Sequence, residues 1–196
     1  GIDQIKDAAK GTELTVFPGV EITCDASKVH LLIIFDIDKT SDDINHFLAA
    51  AGFSLDNIKN GDSSITRNIF QITELATDYG ALVIPAHIDE CRGLGSISTE
   101  NLKRFFFKYD INAVQVVHEQ FLDMNLRTSD NKELKDYLND YYNNPIPAID
   151  DATIKNWHRP VRHALEANCA ILTFSDNPKE LKSSKHGIWG IGTSYT

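Results

Sequence analysis

Five strand-length apolar runs, separated by helical or loop sequence, constrain this chain more than any other feature. They are LTVFPGVE (14–21), VHLLIIF (29–35), ALVIPAH (81–87), NAVQVVH (112–118) and CAILTFSD (169–176). Between them apolar positions recur at helical spacing. Ile65, Ile69, Ile72 and Leu75 share one face of a segment opened by Ser64 or Thr66 and stopped at Gly80. Ser41 is placed to cap a helix through Ala51, and Ser98 or Thr99 to open one through Tyr109. Residues 130–143 read as a charged helix with aromatic positions, and Pro160 to Asn168 as a short one. Helix-then-strand units of this kind predict an α/β protein with a largely parallel sheet, open or closed into a barrel.

The length of 196 residues suits one domain, and 42% hydrophobic with 24% charged residues excludes a disordered or low-complexity chain. A formal charge of −9 with no cationic run argues against a non-specific grip on a phosphate backbone. A nuclease stays open, because a metal site supplies the positive charge that the surface lacks. The three cysteines, Cys24, Cys91 and Cys169, lie far apart with no CxxC pair, so a reducing cytoplasm is expected rather than a disulfide framework or zinc knuckle. No apolar run approaches the roughly 20 residues of a membrane span, and no basic-then-apolar leader is present, so no membrane partner is expected. Because Gly1 opens on a segment already helical, GIDQIKDAAKG, the sequence is expected to be a fragment.

Four of the runs end in a residue that binds divalent metals: Glu21, His87, His118 and Asp176. In parallel α/β sheets the carboxyl ends of the strands share one face, so residues 31 to 66 positions apart can converge there. Imidazole and carboxylate suit zinc, manganese or iron, and a bridging carboxylate holds two metals for phosphoryl chemistry. Polar residues also end strands simply because the chain is leaving the core; it is the set of four that points to a site. His30 opens a strand and reads equally as a ligand or a core-edge histidine. His46 reads as structural or solvated, and His158, His163 and His186 show no regular spacing. Arg92, in CRGLGS after His87, is a candidate phosphate holder beside the ordinary solvated reading, as are Arg159 and Arg162. The glycines of GIWGIG lack a following Lys-Ser/Thr and do not form a phosphate loop, and Cys24 and Cys91 read as ordinary thiols.

PGVEI at 18–22, VHLLIIF at 29–35, PAH at 85–87, VVH at 116–118 and FSD at 174–176 together resemble successive motifs of the PHP (polymerase and histidinol phosphatase) domain family. The resemblance implies a distorted (β/α)7 barrel, incomplete at its N-terminus, with two or three metal ions at the strand ends and hydrolysis of phosphoesters of small molecules or nucleic acids. It makes Glu21 the bridging carboxylate, His87 and His118 imidazole ligands, Asp176 the late aspartate ligand, and His30 a histidine near the site. Glu21, His87 and Asp176 are then the catalytic candidates. Two departures stand out: the family's opening HxH motif belongs before Gly1, and Pro178 stands where the late motif has histidine. The ending resembles the junction to an AAA or SMC-like ATPase, which implies a domain over 1–186 and a connector over 187–196. The leading expectation is a metal-dependent phosphoesterase using Mn, Zn or Fe, with a nucleotide or nucleic acid among its candidate substrates. The alternatives are a degenerate PHP-like module with a regulatory or docking role in a larger ATPase, and a metal-free module binding a small ligand at the strand ends.

Overall fold

Only six residues, Cys24 to Val29, join the first two strands, and a crossover to a parallel partner needs a dozen or more. The computed structural model of the chain, which describes residues 1–25, 27–53, 65–144 and 147–173, accordingly pairs β1 (Gly19–Thr23) with β2 (His30–Ile34) as an antiparallel hairpin. The hairpin belongs to the first of two compact units, Gly1–Pro85; the second is Ala86–Thr196.

In the first unit, α1 (Ile2–Ala9) precedes the hairpin, and α2 (Ser41–Ala51) and α3 (Ile69–Asp78) follow it before β3 (Leu82–Pro85). β3 pairs antiparallel with β2, giving the order β1-β2-β3. Alternation puts Ile22, Leu31, Ile33 and Val83 on one face, and all four are buried. Ile44, Phe47 and Ala51 of α2 and Ile69, Ile72 and Ala76 of α3 complete the core, with Phe47 edge-on to Phe35 at 5.2 Å and to Tyr79 at 5.4 Å. Thr40 caps α2 in a reciprocal box with Asp43. Asn68, not Thr66, caps α3, accepting from the amides of Phe70 and Gln71 at 3.0 and 3.1 Å, and Ser64 lies outside the described residues. No residue of α1 is buried. It is held by polar contacts: Lys6 donates to the carbonyls of Ile37 and Lys39, and Asp3 pairs with Ser41.

In the second unit, α4 (Thr99–Lys108), capped by Ser98, leads to β4 (Ala113–Gln115). α5 (Lys132–Tyr141) and α6 (Asp151–Glu166) lie in the crossover to β5 (Ala170–Leu172), which pairs parallel with β4. α6 begins nine residues before the expected Pro160, because Asp150 caps it by accepting from Thr153 N at 2.8 Å. Its buried side carries Ile154, Trp157, Val161 and Ala164 and packs on α4 and on the short 3-10 turns Leu94–Ser96 and Glu119–Leu122. Pro160 offers no N–H to the Asn156 carbonyl. Gly95 stands against that carbonyl, where an added Cβ would lie 3.2 Å away.

The expected (β/α)7 barrel is not what the chain builds. Among the described residues no barrel closes: the three-stranded sheet is antiparallel, and parallel pairing is confined to β4 and β5. The short hairpin connection forces the first reversal. The connection from β2 carries more than one helix, whereas the single return of a βαβ unit would bring β3 in parallel. The first strand also starts late, at Gly19, leaving Leu14 73% and Phe17 57% exposed, so Glu21 is mid-strand rather than at a strand end.

Gly93 opens the turn Leu94–Ser96, and a Cβ there would overlap the His87 carbonyl oxygen and lie 2.6 Å from the Ile88 carbonyl carbon. Those are backbone atoms, so no rotamer change relieves the clash. Gly93→Ala is expected to cost about 1–3 kcal/mol or more, read as a lowered denaturant midpoint; an unchanged midpoint would show that this approach is not close-packed.

Candidate metal centre

The register of the hairpin sets Thr23 opposite His30 and Glu21 opposite Leu32. Glu21 and His30 are therefore diagonal neighbours on the face away from Ile22 and Leu31, within reach of long side chains. His30 Nδ1 lies 2.6 Å from Glu21 Oε1, and the imidazole side chain is 12% exposed against 42% for the carboxylate. A charge-assisted bond of this length fixes both side chains.

Pro85 pairs with Leu31, so the chain leaving β3 passes beside His30. Strict alternation would send His87 to the Val83 and Pro85 face; instead its φ is 32°, a backbone conformation that costs a non-glycine residue roughly 1–3 kcal/mol. Hydrogen bonds hold it there. His87 N donates to Gln115 Oε1 and Ile88 N to the Gln115 carbonyl, both at 3.0 Å. The fully buried Asp89 carboxylate accepts from Val117 N at 3.0 and 3.1 Å and from His118 N at 2.7 Å. Burial pushes the Asp89 carboxyl up to about 6, against the opposing pull of these amides.

One ligand atom from each of Glu21, His30 and His87 lies within 4.8 Å of the other two, a His/Glu group that can hold a metal ion. Donors on one tetrahedral zinc stand about 3.4 Å apart, so side-chain shifts that close the widest pair by up to about 1.4 Å bring the set to one ion. Two imidazoles with a carboxylate suit zinc, manganese or iron.

The remaining sequence candidates are placed elsewhere or lie outside the described residues. His118 is fully buried in an aromatic cage, with its ring 4.7 Å from that of Tyr141 and close to those of Phe121, Tyr137 and Tyr142. Its Nε2 donates to Tyr142 Oη at 3.0 Å, and that hydroxyl donates to Glu90 Oε1 at 2.6 Å. Arg92 is exposed in the turn that follows, and His46 is exposed on α2. His158 and His163 are buried on α6. Asp176, Pro178, His186 and the connector 187–196 lie outside the described residues. Cys24, Cys91 and Cys169 are free thiols, and burial pushes Cys24 up to about 12. Three residues that shape these surroundings, Gln115, Asp89 and Tyr142, stand outside the motifs read from the sequence. Gln115 had a signal, a lone amide within an apolar run; Tyr142 had none near His118 in sequence.

No family model matches the chain, and neither the curated proteins nor the solved structures contain a match. No helix among the described residues is long and apolar enough to cross a membrane.

His158 gives the second unit a pH signature. Its ring stacks on Phe121 at 6.0 Å, its Nε2 donates to the Asp123 carbonyl at 3.0 Å, and burial holds its pKa below the usual 6.5. Below pH 6.5 the unfolded chain takes up this proton before the folded one, so stability present above that pH is lost as it falls. The urea midpoint is expected to drop between pH 7 and pH 5 in the wild type and to drop less in His158→Gln. Equal drops would remove His158 as the cause.

Proposed function

We propose that Glu21, His30 and His87 hold a divalent cation and that the chain hydrolyses a phosphoester there. The observation that carries this reading is the meeting of two imidazoles and a carboxylate in one group. The likeness of PGVEI and PAH, which carry Glu21 and His87, to PHP motifs supports the phosphoester as substrate. A bound Mn, Zn or Fe ion supplies Lewis acidity toward a phosphoryl oxygen and lowers the pKa of a water molecule. His30 Nδ1 and Glu21 Oε1 share one proton at 2.6 Å, and a cation held by both residues would take the place of that proton. Gln115 fixes the His87 backbone through its amide. Arg92, exposed in the following turn, is the cation assigned to the phosphoryl oxygens. A reducing cytoplasm suits the three free thiols.

The second reading, a degenerate module without chemistry, is favoured by Pro178 standing where the likeness expects histidine. Metal content by mass spectrometry on protein purified without chelator or affinity tag comes first, followed by hydrolysis of bis-p-nitrophenyl phosphate with Mn²⁺ or Zn²⁺. Near-stoichiometric metal is expected, falling at least tenfold in Glu21→Gln, His30→Ala and His87→Ala, with turnover lost alongside. Metal bound without turnover would select the degenerate module. Absence of metal from the wild type would overturn the centre itself.

A further inference from the structure

A cleft of about 430 Å³ runs beside α6 in the second unit, within the size range of small-molecule sites. Lys155, Arg159 and Arg162 line it from α6, at spacings of four and three residues that put them on one stripe of the helix. Lys103 of α4 joins them, and Glu166 is the one carboxylate among the lining residues. Four cations against one anion is the reverse of the chain as a whole, whose formal charge is −9.

The cations are not consumed by internal pairing. Lys103 and Lys155 are exposed and have no carboxylate partner among the described residues. Arg162 meets Glu166 only at 3.8 Å with half of its side chain exposed, and His163 Nδ1 competes for the same carboxylate at 3.1 Å. Arg159 is built in: its Nη2 donates to the carbonyls of Gly95 and Ile97 at 2.9 and 2.7 Å, which fixes a positive charge in the wall. Thr99, the first residue of α4, also lines the cleft, so the positive end of that helix adds to the field. Met124 and Leu126 supply an apolar patch.

We infer that this cleft binds a small molecule carrying at least two adjacent phosphoryl groups. From Lys155 to Arg162 the stripe runs about 10 Å along the helix, longer than a single phosphate requires. Met124 with Leu126 offers a surface for an organic body such as a nucleoside. The inference uses residues of the second unit alone and does not depend on the metal centre.

The test is isothermal titration of the whole chain in EDTA at low salt with ADP, pyrophosphate and citrate, the last as a polyanion without phosphorus. One saturable site per chain is expected for ADP or pyrophosphate, weakening as salt is raised. Tighter ADP identifies an organic phosphate, and tighter pyrophosphate a free oligophosphate. Lys155→Ala with Arg162→Ala is expected to weaken binding at least tenfold with an unchanged circular dichroism spectrum. Lys103→Glu, on an exposed side chain, gives the same direction by an independent route, and Glu21→Gln leaves binding unchanged. No saturable binding of either phosphate, citrate binding as tightly, or wild-type affinity in both cation variants would overturn the inference.

Discussion

The second unit depends on a buried seam in which residues 87–89 are tied to residues 115–118. Gln115 takes part twice, its carbonyl accepting from Ile88 N and its side-chain oxygen from His87 N. Asp89 answers from the other side by accepting from the amides of Val117 and His118. Each contact satisfies a backbone donor that would otherwise be stranded away from water, where an unmade hydrogen bond costs about 1–3 kcal/mol. On its other edge the same stretch meets β5, with Val116 N donating to the Leu172 carbonyl at 3.0 Å. Residues 113–116 are therefore held on both sides, although only three of them count as strand.

From this seam the packing can be followed to α6. Gly93 lets the next turn close onto the His87–Ile88 backbone, and two residues later Gly95 brings the same turn against Trp157 and the Asn156 carbonyl. That carbonyl has lost its helical donor to Pro160, which is the reason the turn can approach it. Arg159 then clamps the turn through the Gly95 and Ile97 carbonyls. A helix with proline in its interior thus gains in tertiary contact what it lacks in its own ladder, and its opposite stripe is left to present charge.

Single-residue signals in the sequence hold in part: Ser98 caps α4 as its position suggests, whereas Thr40, not the expected Ser41, caps α2. The five apolar runs mark the regions in which the five described strands lie. The barrel expectation failed because an apolar run does not reveal the direction of its partner. VHLLIIF reads as a strand buried on both faces, as in a parallel sheet, yet β2 is the centre of an antiparallel one with Leu31 and Ile33 inward and His30, Leu32 and Ile34 half-buried. The six-residue connection before it was the better guide to direction. Asn68 was hidden behind two other cap-type residues, Ser64 and Thr66. His87 and His118 look alike in sequence, each closing an apolar run. What separates them is the tyrosines of positions 137, 141 and 142, about twenty residues downstream of His118 and brought to it by tertiary folding.

The three residues of the candidate centre owe their positions to backbone geometry more than to side-chain choice. Glu21 and His30 are set by hairpin register, so a slip of one residue would turn either to the other face. His87 is set by a positive φ that the Gln115 bonds maintain at a cost in local strain. A ligand held in this way loses little freedom on binding an ion, since the ordering has already been met by folding. The departure from ordinary strand geometry at His87 is therefore sustained within the second unit, where Gln115, a lone amide in an apolar run, takes the His87 N–H on its side chain and the Ile88 N–H on its carbonyl.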